Sequence, residues 1–266
     1  MTAPTEPPGS PTPTEARRAG RELVLELVFR PLANAFVPLL RRVGLSPPVV
    51  VLANVVAGLA GAYAVARGAL VVGALLLQLK TLLDNADGKL ARVTGRVTLV
   101  GRYLDTIADL VVNAAVLAAL GHVTGQPLLA LAAFVALTLV LAADYNATEL
   151  YREAHGIPTP QPSPTGGRVE RALAGVYAVL FAPLDRAARA FSSWRFGGRG
   201  GYDRVTVTVL ANLGLSTQLL VLGICLVAGA PSAYLWFALA CLVVLVLLQL
   251  RAERQARQAA PRSVTR

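Results

Sequence analysis

Apolar tracts of membrane-spanning length alternate along the chain with short arginine-rich stretches. Six such tracts are read as spans, running from Pro48 to Ala66, from Ala69 through Leu79 and on in polar but helix-compatible form to Arg92, and from Val97 to Leu120. The other three run from Pro127 to Ala143, Val205 to Ala228 and Pro231 to Leu250. A bilayer core takes about 20 residues of helix, and each tract comes close. Ser46-Pro47-Pro48 opens the first span as a helix start, since proline fits the first turn where its missing N–H is not needed. The expected fold is an all-α polytopic membrane protein of six transmembrane helices, preceded by an amphipathic juxtamembrane helix.

The flanks read differently. Residues 1–14 are Pro/Thr-rich and too polar for a signal peptide, as in a disordered cytoplasmic tail. Over residues 15–44, Leu23, Leu27, Phe29, Leu32, Phe36 and Leu39 interleave with six arginines. That pattern predicts a helix lying in the headgroup region, broken or bent near Pro31 and Pro38. The membrane domain is taken as 45–250, with a cytoplasmic insertion at 155–203. In it a Pro/Gly-rich linker, expected to be disordered, runs from His155 to Arg168, and Val169 to Trp194 is read as an interfacial helix, with a re-entrant segment as the alternative. Residues 251–266 form a basic tail.

Composition excludes the soluble classes. Of 266 residues 55% are hydrophobic and 15% charged, with a mean hydropathy of +0.58; a soluble domain carries about 25% charged residues. The formal charge of +10 comes from 25 Lys+Arg, all arginine except Lys80 and Lys89. These cations flank apolar spans, so anionic headgroups rather than nucleic acid are the expected partner. Their loop distribution puts both termini and the turn after span two in the cytoplasm. Cys225 and Cys241 fall inside apolar spans and suggest neither a disulfide framework nor a zinc site. His122 and His155 fall in loops.

Chemistry concentrates between spans two and three, where Asp84, Asp87, Asp105 and Asp109 sit on membrane-like helices. Intramembrane carboxylates are costly and repel one another. Asp84 and Asp87 are i,i+3, and Asp105 and Asp109 are i,i+4, so each pair shares a helix face. A short turn makes the helices antiparallel neighbours and lets the pairs converge. Either a salt-bridge network with Lys80, Lys89, Arg92, Arg96 and Arg102 or a bound hard divalent cation would neutralise them. Gly88, Ala91 and Gly101 on the same faces leave room for a ligand, or for close helix packing.

The run Asp84-Asn85-Ala86-Asp87-Gly88-Lys89-Leu90-Ala91-Arg92, then Gly101, Asp105 and Asp109, resembles the CDP-alcohol phosphotransferase pattern D-x₂-D-G-x₂-A-R-x₈-G-x₃-D-x₃-D at each defined position. The resemblance implies metal-dependent transfer of a phosphatidyl group from a CDP-linked donor, foremost CDP-diacylglycerol, to the hydroxyl of a small polar acceptor, with release of CMP. It implies two Mg²⁺ or Mn²⁺ ions held by Asp84, Asp87, Asp105 and Asp109, with Asp109 also the general base. Asp84, Gly88, Ala91, Arg92 and Gly101 would hold the nucleotide. Asn54, Lys80 and Asn212 are candidate pocket residues, as are Gln218, Tyr145, Asn146 and Arg152. A bacterial cytoplasmic-membrane homodimer is implied, with Gly214, Gly223, Ala228 and Gly229 as its small-residue contacts.

Family members often open span one with Pro-Asn followed by Thr; here Pro47-Pro48 and Val51 stand instead. The residues after Asp105 and Asp109 also depart from the pattern common in phosphatidylglycerol-phosphate synthases, which leaves the acceptor open. A membrane prenyltransferase and a proton-coupled transporter are the alternatives, although a prenyltransferase would separate its acidic motifs far more than the 18 residues from Asp87 to Asp105.

Overall fold

The computed structural model describes residues 20–159, 161–196 and 202–259, with the side chains of 191–196 and 256–259 outside the description. The 1–14 tail and the end of the basic tail therefore lie outside the described residues. Ten α-helices make up the described fold, with no strand: α1 (Arg30–Arg42), α2 (Pro47–Ala66), α3 (Leu70–Val93), α4 (Leu99–Thr124), α5 (Pro127–Ala154), α6 (Arg168–Leu180), α7 (Ala182–Phe196), α8 (Arg204–Ala211), α9 (Leu215–Val227) and α10 (Pro231–Ala259).

Local chemistry sets the boundaries. Pro47 and Pro127 occupy the first turns of α2 and α5. Thr98 caps α4, its hydroxyl accepting from the Gly101 N–H at 3.1 Å, which satisfies one otherwise orphaned donor. The turn from α3 to α4 needs a left-handed residue, and Gly95 supplies it with φ +67°, a conformation costly for side chains with a Cβ. That turn makes the two acidic helices sequential antiparallel neighbours.

Among the described residues four helices are long and apolar enough to cross a membrane: α2, α4, α5 and α10. The expected span from Val205 to Ala228 is not one straight helix. It breaks into α8 and α9, bent by 40°. A Cβ on Gly214 would lie 2.8 Å from the Ala211 carbonyl oxygen. Asn212 bonds back to the Thr208 carbonyl and across to the Arg21 carbonyl and Leu23 N–H. The break is thus held by the N-terminal segment. With this pair counted as one span the total is five. Helix α3 has 24 residues, but from Lys80 onward it also carries Asp84, Asp87, Lys89 and Arg92.

Two further expectations need correction. The helix before α2 is not broken at its prolines. A π-helical turn at Leu25–Phe29 precedes Arg30, and Pro38 lies within α1. The wider turn accommodates Pro31, whose ring would crowd the carbonyl four residues back in a regular helix. The face of α1 formed by Ala33, Val37 and Leu40 packs against Val50 and Ala57 of α2 and Leu83, Ala86 and Leu90 of α3. Among its described residues, segment 155–203 holds two helices rather than one, separated at Phe181, where Pro183 near the start of α7 cannot donate to a continuing ladder. Its Pro-rich lead-in is docked rather than free: Ser163 donates its N–H to the Val97 carbonyl and accepts from the Leu99 N–H. Helix α5 also runs past Ala143 to Ala154.

The main core joins α2, α3, α4, α5, α9 and α10 around Leu77, Val112, Leu120, Leu222 and Tyr234. Gly58 lets α2 approach there, because a Cβ would meet Val112 Cγ1 at 2.5 Å. Gly223 does the same for α9, where a Cβ would meet the Gln78 side chain at 2.5 Å, and Gly229 closes a turn at φ +68°. Gly223 is therefore employed within the chain, whereas Ala228 and Gly229 are exposed.

Candidate active site

Helices α3 and α4 bring the acidic pairs together as their spacing requires. One carboxylate oxygen from each of Asp84, Asp105 and Asp109 lies within 4.8 Å of the others. Asp87, one turn further along α3 and 5% exposed, borders the adjoining cavity with Asp105. Lys80, 0% exposed, reaches into the cluster with Nζ 2.5 Å from Asp109 Oδ1 and 3.3 Å from Asp84 Oδ1. Asn54 of α2 donates to the same Asp84 oxygen at 2.8 Å. Asn54 and Lys80 are thus partners of the carboxylates, and Asn212 sits at the α8–α9 break.

One lysine does not satisfy four carboxylates. Asp87 Oδ2 and Asp105 Oδ1 are buried without a hydrogen-bond partner. Such orphaned charged oxygens are costly, and an all-oxygen donor set of this kind suits a hard divalent cation. The residues fit the implied metal.

Two cavities meet at the cluster. One, about 430 Å³, is lined by Asp87, Gly88, Ala91, Arg92, Gly101 and Asp105, with Arg96, Arg102 and Arg152 adding positive charge. Gly88 leaves space there: a Cβ would meet only the Arg92 guanidinium, with Nη1 at 3.5 Å and Nη2 at 3.9 Å. Ala91 and the exposed Arg92 belong to the same wall. Thr159 and Pro162 of the docked Pro-rich segment close this cavity, and Thr159 donates to Glu149 at 3.2 Å. Sequence reasoning missed this segment, because proline-rich composition signals only the absence of regular structure.

The second cavity, about 250 Å³, adjoins Asp105 and Asp109 between α4, α5 and the α6–α7 pair. Tyr145 lines both cavities and accepts a hydrogen bond from Arg102. Of the other pocket candidates, Arg152 lines the first cavity. Asn146 bonds the Ala142 carbonyl and Asp185, and Gln218 is buried against Tyr234 and Cys241. The two cysteines are free.

A family model described as CDP-alcohol phosphatidyltransferase matches residues 45–247, most of the chain, including both acidic helices and segment 155–203. The chain belongs to that family. It is accordingly a transferase of phospholipid biosynthesis, and with its apolar helices an integral membrane protein. No curated protein and no solved structure matches the chain.

Proposed function

We propose that the chain transfers a phosphatidyl group from CDP-diacylglycerol to the hydroxyl of a small polar acceptor, releasing CMP, at a cluster holding two Mg²⁺ or Mn²⁺ ions. The observation that carries this reading is the convergence of Asp84, Asp105 and Asp109 between a basic cavity and a second, separate cavity. A nucleoside diphosphate demands positive charge and room at the helix surface, which Arg92, Arg96, Gly88 and Ala91 provide. The acceptor then approaches from the side that Asp109 lines.

In this reading Asp84, Asp87, Asp105 and Asp109 hold the ions, whose chemistry is to neutralise the diphosphate and the charge developing on phosphorus. Asp109 takes the proton of the acceptor hydroxyl. The new acceptor oxygen–phosphorus bond forms as the bond to CMP breaks, and CMP leaves with that electron pair. Asp109 Oδ1 is engaged by Lys80, which leaves its second oxygen for the proton. Six spans complete the architecture when α3 is counted with the α8–α9 pair. The arginine-rich connections support an orientation with the cluster and both termini on the cytoplasmic side, and the family resemblance supports a bacterial membrane. A homodimer is proposed from the family resemblance alone.

The test is CMP release from radiolabelled CDP-diacylglycerol by purified protein, with glycerol 3-phosphate, serine, inositol and inositol phosphate as acceptors and lipid products read by mass spectrometry. Release that depends on Mg²⁺ or Mn²⁺ and is abolished by chelator is the expected result. No release with any acceptor sinks the reading. Arg92→Ala removes a charged contact to the donor phosphates, so donor KM should rise about tenfold or more, the scale of a charge-assisted hydrogen bond, with kcat changed less. A neutral substitution would leave Arg92 only a membrane-surface role.

A further inference from the structure

The α6–α7 pair belongs to the insertion, outside the acidic motif, yet it builds a wall of the cavity beside Asp109. Tyr177, Phe181 and Asp185 face it together with Asp105 and Asp109. Asp185 is fixed in place: its Oδ1 accepts from Asn146 Nδ2 at 3.3 Å and its Oδ2 from the Tyr177 hydroxyl at 3.1 Å. Tyr177 is itself braced by Tyr103 and Phe181, with ring centroids 5.0 and 5.1 Å away. Each Asp185 oxygen takes one bond in this arrangement and has acceptor capacity left for another.

Charge separates the two cavities. The nucleotide-side cavity is lined by Arg92, Arg96, Arg102 and Arg152. The second shares only Arg102, Asp105 and Tyr145 with it. Among the described residues that line the second cavity alone, the ionisable ones are Asp109, Tyr177 and Asp185, and none is a cation. Thr106, Asn113 and Thr138 add neutral polar groups. A phosphate entering this side would meet three carboxylates, Asp105, Asp109 and Asp185, against the single shared Arg102. The nucleotide side instead offers four arginines, the usual partner of phosphate.

We propose that this cavity is the acceptor side of the site and that Asp185 selects an acceptor alcohol without a phosphate group. Such an acceptor is a polyol or amino alcohol whose hydroxyl or ammonium hydrogens bond the Asp185 carboxylate. The inference rests on the transfer reading above and names the substrate class for it. Specificity thereby comes from the insertion, while the acidic motif supplies the chemistry.

The test measures binding apart from turnover. Full-length protein in detergent, loaded with CMP and Mn²⁺, is titrated calorimetrically with matched pairs: glycerol and glycerol 3-phosphate, inositol and inositol phosphate, serine and phosphoserine. In at least one pair the unphosphorylated member should bind at least tenfold more tightly. Polyols against serine then distinguish hydroxyl from ammonium recognition. Asp185→Asn should weaken that acceptor about tenfold while CMP affinity, which also reports an intact fold, changes less than twofold. Tyr177→Phe keeps the carboxylate but removes one of its supports, and should weaken the acceptor by a smaller factor; it decides the matter should Asp185→Asn fail to bind CMP. Tighter binding of the phosphorylated members, binding of no acceptor, or unchanged affinity in the variants overturns the proposal. Intact acceptor preference without CMP release from CDP-diacylglycerol would instead sink the transfer reading alone.

Discussion

Asp109→Asn is expected to lower kcat by about 10²–10⁴-fold, the range for losing a positioned general base, while donor KM changes little. The asymmetry follows from where Asp109 sits. It lines the cavity beside α6 and α7 and is absent from the wall of the basic cavity, whereas Asp105 borders both. Asparagine keeps the size of the side chain and an oxygen for Lys80, so packing around Asp109 is largely preserved. What it loses is the capacity to take a proton and one negative charge of the converging trio. Asp105→Asn should differ by weakening Mn²⁺ binding as well as rate, because its buried Oδ1 has no protein partner. Steady-state kinetics with saturating donor, together with direct titration of Mn²⁺, separates the two. An Asp109→Asn enzyme that turns over normally at saturation but binds donor poorly would show that the roles have been exchanged.

Which parts of this arrangement were legible in the sequence follows the range of the interactions involved. Pairs at i,i+3 and i,i+4 lie on one helix face by geometry alone, and a short glycine turn makes sequential helices neighbours. Asp84, Asp105 and Asp109 could therefore be brought together before any coordinates. The same locality made the helix start at Pro47 readable. Lys80 was visible as a candidate cation, but its place inside the cluster depends on Gly58 allowing α2 to close on α4. Asp185 lies 76 residues beyond Asp109 in an amphipathic stretch, and only the packing of α6 and α7 against α4 and α5 brings it to the site. An aspartate beside Pro183 in an apolar–arginine segment was a signal, but one shared by any exposed helix. The Pro-rich lead-in failed for a different reason. Its order comes from two backbone hydrogen bonds to the α3–α4 turn, and composition carries no information about such partners. Likewise the bend at Asn212 is set by bonds to Arg21 and Leu23, nearly two hundred residues earlier in the chain.

Lys80 carries the second large expectation. It is a fully buried ammonium between Asp84 and Asp109, with Asp105 and Asp87 close behind. Replacing it by methionine preserves length and apolar stem but removes the one buried cation of the cluster. Breaking a buried ion pair by deleting one partner costs about 3–5 kcal/mol. The low end, about 3 kcal/mol, applies here because the Asp84 and Asp109 side chains keep 22% and 24% exposure. The loss should depend on metal. Without divalent cation, Lys80→Met leaves the carboxylates facing one another uncompensated, and thermal unfolding in detergent should begin well below that of the unaltered protein. With saturating Mn²⁺ the ions supply the missing charge, so the variant should gain more stability from metal than the unaltered protein does. Turnover should still fall, because the lysine also holds Asp109 Oδ1 and so fixes the carboxylate proposed to take the proton. Unfolding temperatures with chelator and with Mn²⁺, measured on both proteins, give the comparison. Equal metal-induced shifts would mean that Lys80 and the ions do not share the task of neutralising these carboxylates.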